Sequence, residues 1–301
     1  MLCIGLINIL KKMYKIGKNS KIKANHIDIH KSVEIGDNVQ IHCDSIKIDK
    51  FSKIGNDVNI SCRNLEVGEF LYMADGVEIG RGGSTGLNSN VKIGKHVGIF
   101  ERTIINPSES VEIGDDVGIG AEVMIWTHGA WLDVTQGFPS DFGPVKIGNN
   151  VWLPARSIVL PNVTIGDNSV IGIGSIVNKS LPNGCLAAGS PCKVLKENHY
   201  PNELTNEEKE KLINGILDDW LKLLDEKKVY HHHTVEYKNN NIYLREIVEG
   251  AYCETIFNLN ERTISNGSGE VVEDLRDYLR RRGIKFYTNK PFKSITQEWT
   301  K

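Results

Sequence analysis

The chain lacks any surplus of positive charge: 36 Lys and Arg stand against 38 Asp and Glu over 301 residues, a net of −2. It therefore has no basic footprint for a phosphate backbone, which excludes nucleic acid as a partner class. It also lacks a long apolar run. The opening stretch "MLCIGLINILKK" is far shorter than the ~20 residues that a bilayer-crossing helix needs. Its lysines follow the apolar residues, the reverse of a secretory signal. It reads as a short capping helix or a first strand, and no membrane span is expected. Six cysteines (Cys3, Cys43, Cys62, Cys185, Cys192 and Cys253) form no C-x-x-C pair and no framework spacing. Reduced thiols in a cytoplasm fit that scatter. What the chain does hold, 40% apolar and 25% charged residues, belongs to a soluble globular protein and not to a disordered one. Its length allows one large domain or two ordinary ones.

The dominant pattern has a period of six. In "PVKIGNNVWLPARSIVLPNVTIGDNSVIGIGSIVNKSLPNGCLAAGSPCKVLK" (residues 144–196), Ile147, Leu153, Val159, Ile165, Ile171 and Val177 fall at every sixth position. A helix wants apolar spacings of three and four, and a half-buried strand wants two. The register extends backward through Ile113, Ile119 and Ile125, then Ile93, Ile99 and Ile105, then Val67, Met73 and Ile79. Earlier pairs are Ile54 with Ile60, Ile35 with Ile41, and Ile16 with Ile22. Grouped in threes, the units are led by Ile16, Ile35, Ile54, Met73, Ile93, Ile113, Ile147 and Ile165, at intervals of 19, 19, 19, 20, 20, 34 and 18 residues. A unit of about eighteen residues recurs, and one interval is about sixteen too long.

Each step of six inserts one branched aliphatic residue, with a small residue such as Ser157, Ser169 or Ser175 four places later. Burying one such aliphatic contributes roughly 1.5–3 kcal/mol, whereas ordering six residues costs on the order of 6–12 kcal/mol. A lone hexad cannot hold itself together. Stacked coils can, because hydrogen bonds and inward side chains then run from coil to coil. Three short strands per coil, with Gly or Asx corners ("IGDN", "IGNN", "IGDD") that tolerate unusual backbone angles, make a triangular prism. The fold class is mainly β, a parallel β-helix.

After Lys196 the pattern stops. "NHYPNELTNEEKEKLINGILDDWLKLLDEKK" reads as an amphipathic helix with Leu212, Ile213, Ile216, Leu217, Trp220, Leu221 and Leu224 on one stripe, and Thr205 with Glu208 forms a capping box. Beyond "YHHH" come the alternating runs "TVEYK", "NIYLREIV", "YCETIFNL" and "RTIS", a helix "EVVEDLRDYLRRRG" and a last strand "IKFYT". The expected domains are a β-helix at 1–196, a helical linker at 197–231 and a small α+β module at 232–301.

The long interval carries "IWTHGAWLDVTQGFPSDFGPVKIG". Insertions in a repeat fold become loops on one side of it, where binding sites form. This one starts at His128 and holds Trp131, Phe138 and Phe142, large rings for a connector. A histidine at its base suits a general base at neutral pH, although a single histidine in a turn is equally consistent with no role.

The segment from about 113 to 196 resembles the hexapeptide-repeat acetyltransferases, nearest the galactoside and maltose O-acetyltransferase branch. The resemblance is carried by "TH" before the long loop, by "PVKIGNNVW", by "VLPNVTIGDNSVIGIGSIVNK" and by "LAAGSPCKVLK". It implies a left-handed β-helix, a homotrimer, and acetyl transfer from acetyl-CoA in the cleft between neighbouring subunits. It implies His128 as the base that takes the proton from an acceptor hydroxyl or amine during attack on the thioester, the thiolate of coenzyme A leaving without an acyl-enzyme. The cofactor positions of the family match Ala155, Ile173, Asn178, Lys179, Lys193 and Lys196, the lysines serving the phosphates or standing as plain surface charges. Pro154, Ala155 and Ile173 depart from the family pattern, and Ile173 narrows the cofactor path. The acceptor region has Glu101, Arg102, Asn106, Ser108 and Glu109 in place of the residues of the galactoside branch, with Trp131 on the loop. By coil stacking Ser108 lies beneath His128, and Glu109 is positioned to orient or charge the ring. The acceptor implied is a sugar or surface-polysaccharide precursor.

Two alternatives stay open. One is a silent scaffold that kept the stackable repeat. The other is the zinc carbonic anhydrase of this fold, which needs three converging histidines, yet His26, His30, His42, His96 and His128 supply no H-x-x-x-x-H pair. No metal is expected at His231, His232 and His233, because adjacent side chains of an extended segment point to opposite faces. "GRGGSTGLNSN" (80–90) lacks the ending of a phosphate loop and reads as a flexible corner.

Overall fold

The computed structural model describes residues 15–80, 86–228, 233–248, 250–267 and 269–288. Strands of two to four residues recur along the first two hundred and sort into three parallel sheets, here called faces A, B and C. Face A begins at Lys15–Ile16 and ends at Leu186–Gly189, closed by the antiparallel strand Cys192–Lys196. Face B runs from Lys21–Lys23 to Ile176–Val177, and face C from His26–Ile29 to Thr164–Ile165. The chain visits A, B and C in turn, which makes a parallel β-helix of about nine turns. Inside, like stacks on like: on face B, Ile22, Ile41, Ile60, Ile79, Ile105, Ile125, Val159 and Val177 form one buried column.

The register corrects the grouping of the hexads. Met73 pairs with Ile99 on face A, while Ile93 pairs with Val67 on face C. The threes led by Met73 and by Ile93 therefore belong to different faces. The step from Val67 to Ile93 is 26 residues, against 19 from Ile48 to Val67. So a second interval is too long, by about one hexad, and it falls in the glycine-rich stretch between Ile79 and Asn90. Residues 81–85 lie outside the described residues.

The corners also differ from expectation in how they use glycine. Left-handed backbone is taken by Asn19, Asn38, Asp57 and Asn150, but also by Phe51, Phe70, His96, Arg102, Glu122 and Arg156. The glycine two places earlier in "IGDN" answers to crowding. A Cβ on Gly36 would stand 2.6 Å from the Gly55 carbonyl oxygen of the next coil, inside any tolerable contact. Next to it, an Asx ladder climbs the prism. Asn56 Oδ1 accepts from the Asp37 amide at 2.9 Å, and Asp75 Oδ1 from the Asn56 amide at 2.7 Å. After Gly94 a second ladder takes over, with Asp115, Asn149, Asp167 and Asn183 each accepting from the amide one coil earlier. The small residues Ser157, Ser169 and Ser175 are buried and donate to the carbonyls of Pro154, Pro182 and Gly172.

A second compact unit begins at Glu203. Its helix Asn206–Glu226 has the expected capping box, with the Thr205 amide donating to Glu208 Oε2 at 2.8 Å and the Glu208 amide to Thr205 Oγ1 at 3.2 Å. This helix was expected as a linker, yet Ile213, Leu217, Trp220 and Leu224 pack into the core of the second unit with Ile242, Leu244, Phe257 and Leu275. Trp220 Nε1 donates to Asp274 Oδ2 at 3.0 Å, which ties it to the helix Glu270–Arg281. Leu212 lies off the buried stripe, 51% exposed. Strands His233–Lys238, Asn241–Val248, Ala251–Asn258 and Thr263–Ser265 form an antiparallel sheet. "IKFYT" is not a strand: residues 284–288 are irregular, the Tyr287 amide donates to the Arg262 carbonyl at 2.7 Å, and Phe286 is buried with its ring 5.3 Å from that of Phe257. His233 lies beside the Trp220 ring, while His231 and His232, like the opening "MLCIGLINILKK", lie outside the described residues.

Candidate active site

Three consecutive coils meet at the corner between faces B and C in an unusual way. The first carries the glycine-rich insertion after Ile79, the second turns tightly through Pro107–Ser110, and the third carries the long loop after Trp126. That loop is an ordered arm. His128–Ala130 pairs antiparallel with Ser140–Phe142, and Val134–Gln136 forms a short 3-10 turn between them. Asp133 caps the turn by accepting from the Thr135 amide at 2.9 Å and its hydroxyl at 2.7 Å, bonds that hold its carboxyl below the usual range. Asn162, one coil on, donates to Asp141 Oδ1 at 2.9 Å and so fastens the returning strand.

His128 is half-buried at the base of the arm, its ring stacked on Phe142 at 5.5 Å and edge-on to Trp126 at 6.3 Å. Its Nδ1 lies 2.8 Å from Asn106 Oδ1 and 3.0 Å from Ser108 Oγ. Asn106 is fully buried, and its Nδ2 donates to the Gly80 carbonyl at 3.0 Å. Because a carbonyl only accepts, this bond fixes which way the amide points and leaves Oδ1 toward the imidazole. Oδ1 also only accepts, so Nδ1 is the nitrogen that donates, which in the neutral ring leaves the lone pair on Nε2. The serine hydroxyl fits the same assignment, since Ser108 Oγ donates to Asn106 Oδ1 at 3.1 Å. Buried Thr127 locks the two coils together, donating to the Asn106 carbonyl at 2.8 Å and accepting from the Glu109 amide at 2.9 Å. The result is a histidine whose Nδ1 is engaged as a donor by the coil beneath, an arrangement that in the neutral ring selects the Nδ1–H tautomer.

The predicted acceptor residues divide. Asn106, Ser108 and Glu109 share the corner of His128. Asn106, expected to touch an acceptor, is fully buried and orients the ring instead; Glu109, expected to orient it, gives its amide to Thr127, and its half-buried carboxylate belongs to the same turn. Glu101 is not brought to this site. It lies on the corner between faces A and B, where its carbonyl accepts from the Glu122 amide at 2.9 Å. Its neighbour Arg102 donates to Glu122 at 2.7 Å, as Arg156 does from the next coil, and the two cations hold the Glu122 carboxyl below its ordinary range. Trp131 stands on the arm, 95% exposed. Sequence reasoning quoted Gly80 and Thr127 within motifs but gave neither a role at the site. A signal existed for the orienting role, because Asn106 precedes His128 by 22 residues, one coil and a little.

The predicted cofactor residues divide too. Ala155 and Ile173 are one above the other on the A–B corner, joined by the Gly174 amide donating to the Ala155 carbonyl at 3.1 Å. Ile173 is 74% exposed, so it projects from that corner instead of filling the prism. Lys193 pairs with Ala188 and Lys196 with Leu186 at the edge of face A. Asn178 and Lys179 follow the last strand of face B, at the far corner. Face B thus lies between the two groups. All six are at the surface, and the three lysines suit anionic phosphates as point charges. Among the described residues no group of three or more His, Cys, Asp or Glu is placed to hold a metal.

Residues 144–179 match the bacterial transferase hexapeptide family, six repeats. The chain belongs to the hexapeptide-repeat transferases. Within the family it is 41% identical over 112 residues to the galactoside O-acetyltransferase of Escherichia coli K12, a match over 36% of this chain and 55% of that protein. The chain thus spans about half the length of this curated relative. Among solved structures, a galactoside acetyltransferase in complex with coenzyme A is 35% identical, over 46% of this chain and 70% of that one, with a TM-score of 0.39. A maltose O-acetyltransferase from Clostridium difficile 630 is 33% identical, over 44% and 68% of the two chains, also at 0.39.

Proposed function

We propose that the β-helix unit is an acetyl-CoA-dependent acetyltransferase whose general base is Nε2 of His128. The observation that supports the reading is the Gly80–Asn106–His128 chain, which engages Nδ1 as a donor and so, in the neutral ring, assigns the lone pair to Nε2. A positioned base of this kind contributes about 10²–10⁴-fold. In the proposed step Nε2 takes the proton of the acceptor hydroxyl or amine while its oxygen or nitrogen attacks the thioester carbonyl. A tetrahedral centre forms, the C–S bond breaks, and the thiolate recovers a proton from the imidazolium. Asn106 Oδ1 stabilises that imidazolium through Nδ1–H. The relative named galactoside O-acetyltransferase supports acetyl transfer and a sugar as acceptor; the reading extends this to a sugar or surface-polysaccharide precursor.

The acetyl-CoA is assigned to Ala155, Ile173, Asn178, Lys179, Lys193 and Lys196. Because face B separates these positions in one chain, we place the donor where two chains meet, in a homotrimer with active sites between subunits. Ser108, Glu109 and Trp131 are assigned to the acceptor, Trp131 reaching it or the neighbouring subunit from the exposed arm. Five described cysteines carry free thiols, which supports a reducing cytoplasm; no described helix is long and apolar enough to cross a membrane.

The deciding experiment follows thiol release from acetyl-CoA across a panel of saccharide acceptors, with wild type and His128→Ala. Release by wild type and its loss in the variant are expected. Equal release by both would remove His128 from the mechanism. A scaffold is the competing reading, and it predicts no thermal shift with acetyl-CoA, whereas a ligand at ~100 times its dissociation constant adds about 2.7 kcal/mol.

A further inference from the structure

The glycine-rich insertion was expected as a flexible corner, but its described end is tied down. The Ser89 amide donates to the Gly86 carbonyl at 3.1 Å, Arg63 Nη1 to the Leu87 carbonyl at 3.2 Å, and Ser110 Oγ to the Asn88 carbonyl at 2.9 Å. The Arg63 amide takes the Ser89 carbonyl at 2.7 Å, and Ser89 itself is buried. At the other end the Gly80 carbonyl receives Asn106 Nδ2. Gly86 sits against the second coil, where a Cβ on it would lie 3.9 Å from the Ser108 carbonyl oxygen. That same Ser108 has its hydroxyl on His128. Ordering a turn costs conformational entropy, and a core element offsets this by hiding apolar surface. Here the reverse holds, for the anchored turn leaves Leu87 78% exposed.

Position gives the turn a use. It leaves the corner one coil before Pro107–Ser110, and the arm of His128 leaves it one coil after. Adjacent strands are about 4.7–4.9 Å apart, so the two insertions are rooted about 9–10 Å apart along the prism. Allowing for the thickness of the two backbones, about 5 Å of that remains over the middle turn, about the thickness of one saccharide ring. Its floor is the tight turn with the Glu109 carboxylate and the Ser110 hydroxyl, whose proton is on the Asn88 carbonyl and whose oxygen can still accept; Ser108 is buried beneath it.

We propose that Gly86–Ser89 is the second wall of the acceptor site, with Leu87 packing on the C–H face of a hydroxylated ring whose hydroxyls meet Glu109 and Ser110. This rests on the acetyl-transfer reading and adds to it a segment that selects the acceptor: a ring sugar with one apolar face, not a flexible amine. The wall is assigned to the acceptor, whose predicted residues Ser108 and Glu109 lie on the next coil, while no predicted donor residue of the same chain lies beside it.

The test compares wild type, Leu87→Ala and Leu87→Asp, measuring KM for methyl pyranosides and for acetyl-CoA separately. Leu87 is exposed, so both variants keep the wild-type melting temperature. Removing part of a packed isobutyl group raises the acceptor KM roughly 4- to 30-fold, the aspartate more than the alanine, with the acetyl-CoA KM unchanged. In parallel, methyl resonances of Leu87 in the full chain shift on addition of the pyranosides. Active wild type with an unmoved acceptor KM in both variants, or unmoved Leu87 resonances, overturns the proposal and spares the acetyl-transfer reading. Wild type that never releases thiol from acetyl-CoA sinks that reading, and this inference with it.

Discussion

Two kinds of corner are built into one prism, and they solve opposite problems. At the Gly-Asx corners every coil repeats the last: a glycine allows close approach, and an Asx oxygen caps the amide of the coil before it. At the B–C corner the repetition is broken twice, by the insertion after Ile79 and by the arm after Trp126. There the polar groups turn on one another, Gly80 to Asn106 to His128, instead of marching up the axis. Identical rungs make a column; a change in rung length makes a place where a backbone carbonyl and two side chains from three coils converge. The lesson is that chemistry enters this fold where its stacking rule lapses.

The sharpest way to break the contrast is His128→Ala, which lowers kcat about 10²–10⁴-fold with little change in melting temperature, as thiol-release kinetics and calorimetry would check together. Asn106→Leu should come next. It frees the tautomer and strands the Gly80 carbonyl, for a loss of about 10–100-fold in activity by analogy with other orienting partners of histidine. Restoring most of that activity with Asn106→Ser, but not with leucine, would show that an acceptor oxygen is what the ring needs. On the repeating side, Gly36→Ala drives a Cβ into the Gly55 carbonyl and should destabilise by roughly 1–3 kcal/mol. An unchanged denaturation midpoint would mean that the coils separate at no cost. Asn149→Ala removes one step of the ladder at Asp115 and should cost about 1 kcal/mol.

The smallest effect is expected at the exposed Arg102–Glu122–Arg156 bridge. Glu122 has a lowered folded pKa, so it binds its proton less readily folded than unfolded. Its contribution is therefore present above the ordinary carboxylate range and fades as pH falls through the folded value. Melting curves of wild type and Glu122→Gln should differ slightly at neutral pH and converge in acid. Divergence in acid would reverse the sign of the linkage.

Much of this was legible in the chain. The aliphatic hexads announced the β-helix because each inward position repeats, and the extra length before Ile147 announced the arm at His128. The insertion at residues 80–89 was hidden for a physical reason: its surplus of about seven residues is close to one hexad. The chain seemed to keep step while Ile93 moved from the expected face to face C. The corner glycines were visible, but not why they are there, since crowding between coils is a contact between residues nineteen apart. Residues 284–288 were misjudged because their alternation serves burial of Phe286 in the core of the second unit without forming a regular strand.

Sequence by itself determined the coil, for one buried aliphatic at every sixth position suits a three-faced prism and neither a helix nor an alternating strand. It also determined which histidine stands at the root of the longest loop. Only the tertiary structure decided what that histidine is. The proton on Nδ1 follows from an amide fixed by a carbonyl 26 residues earlier, and such a bond exists only once three coils are stacked in register.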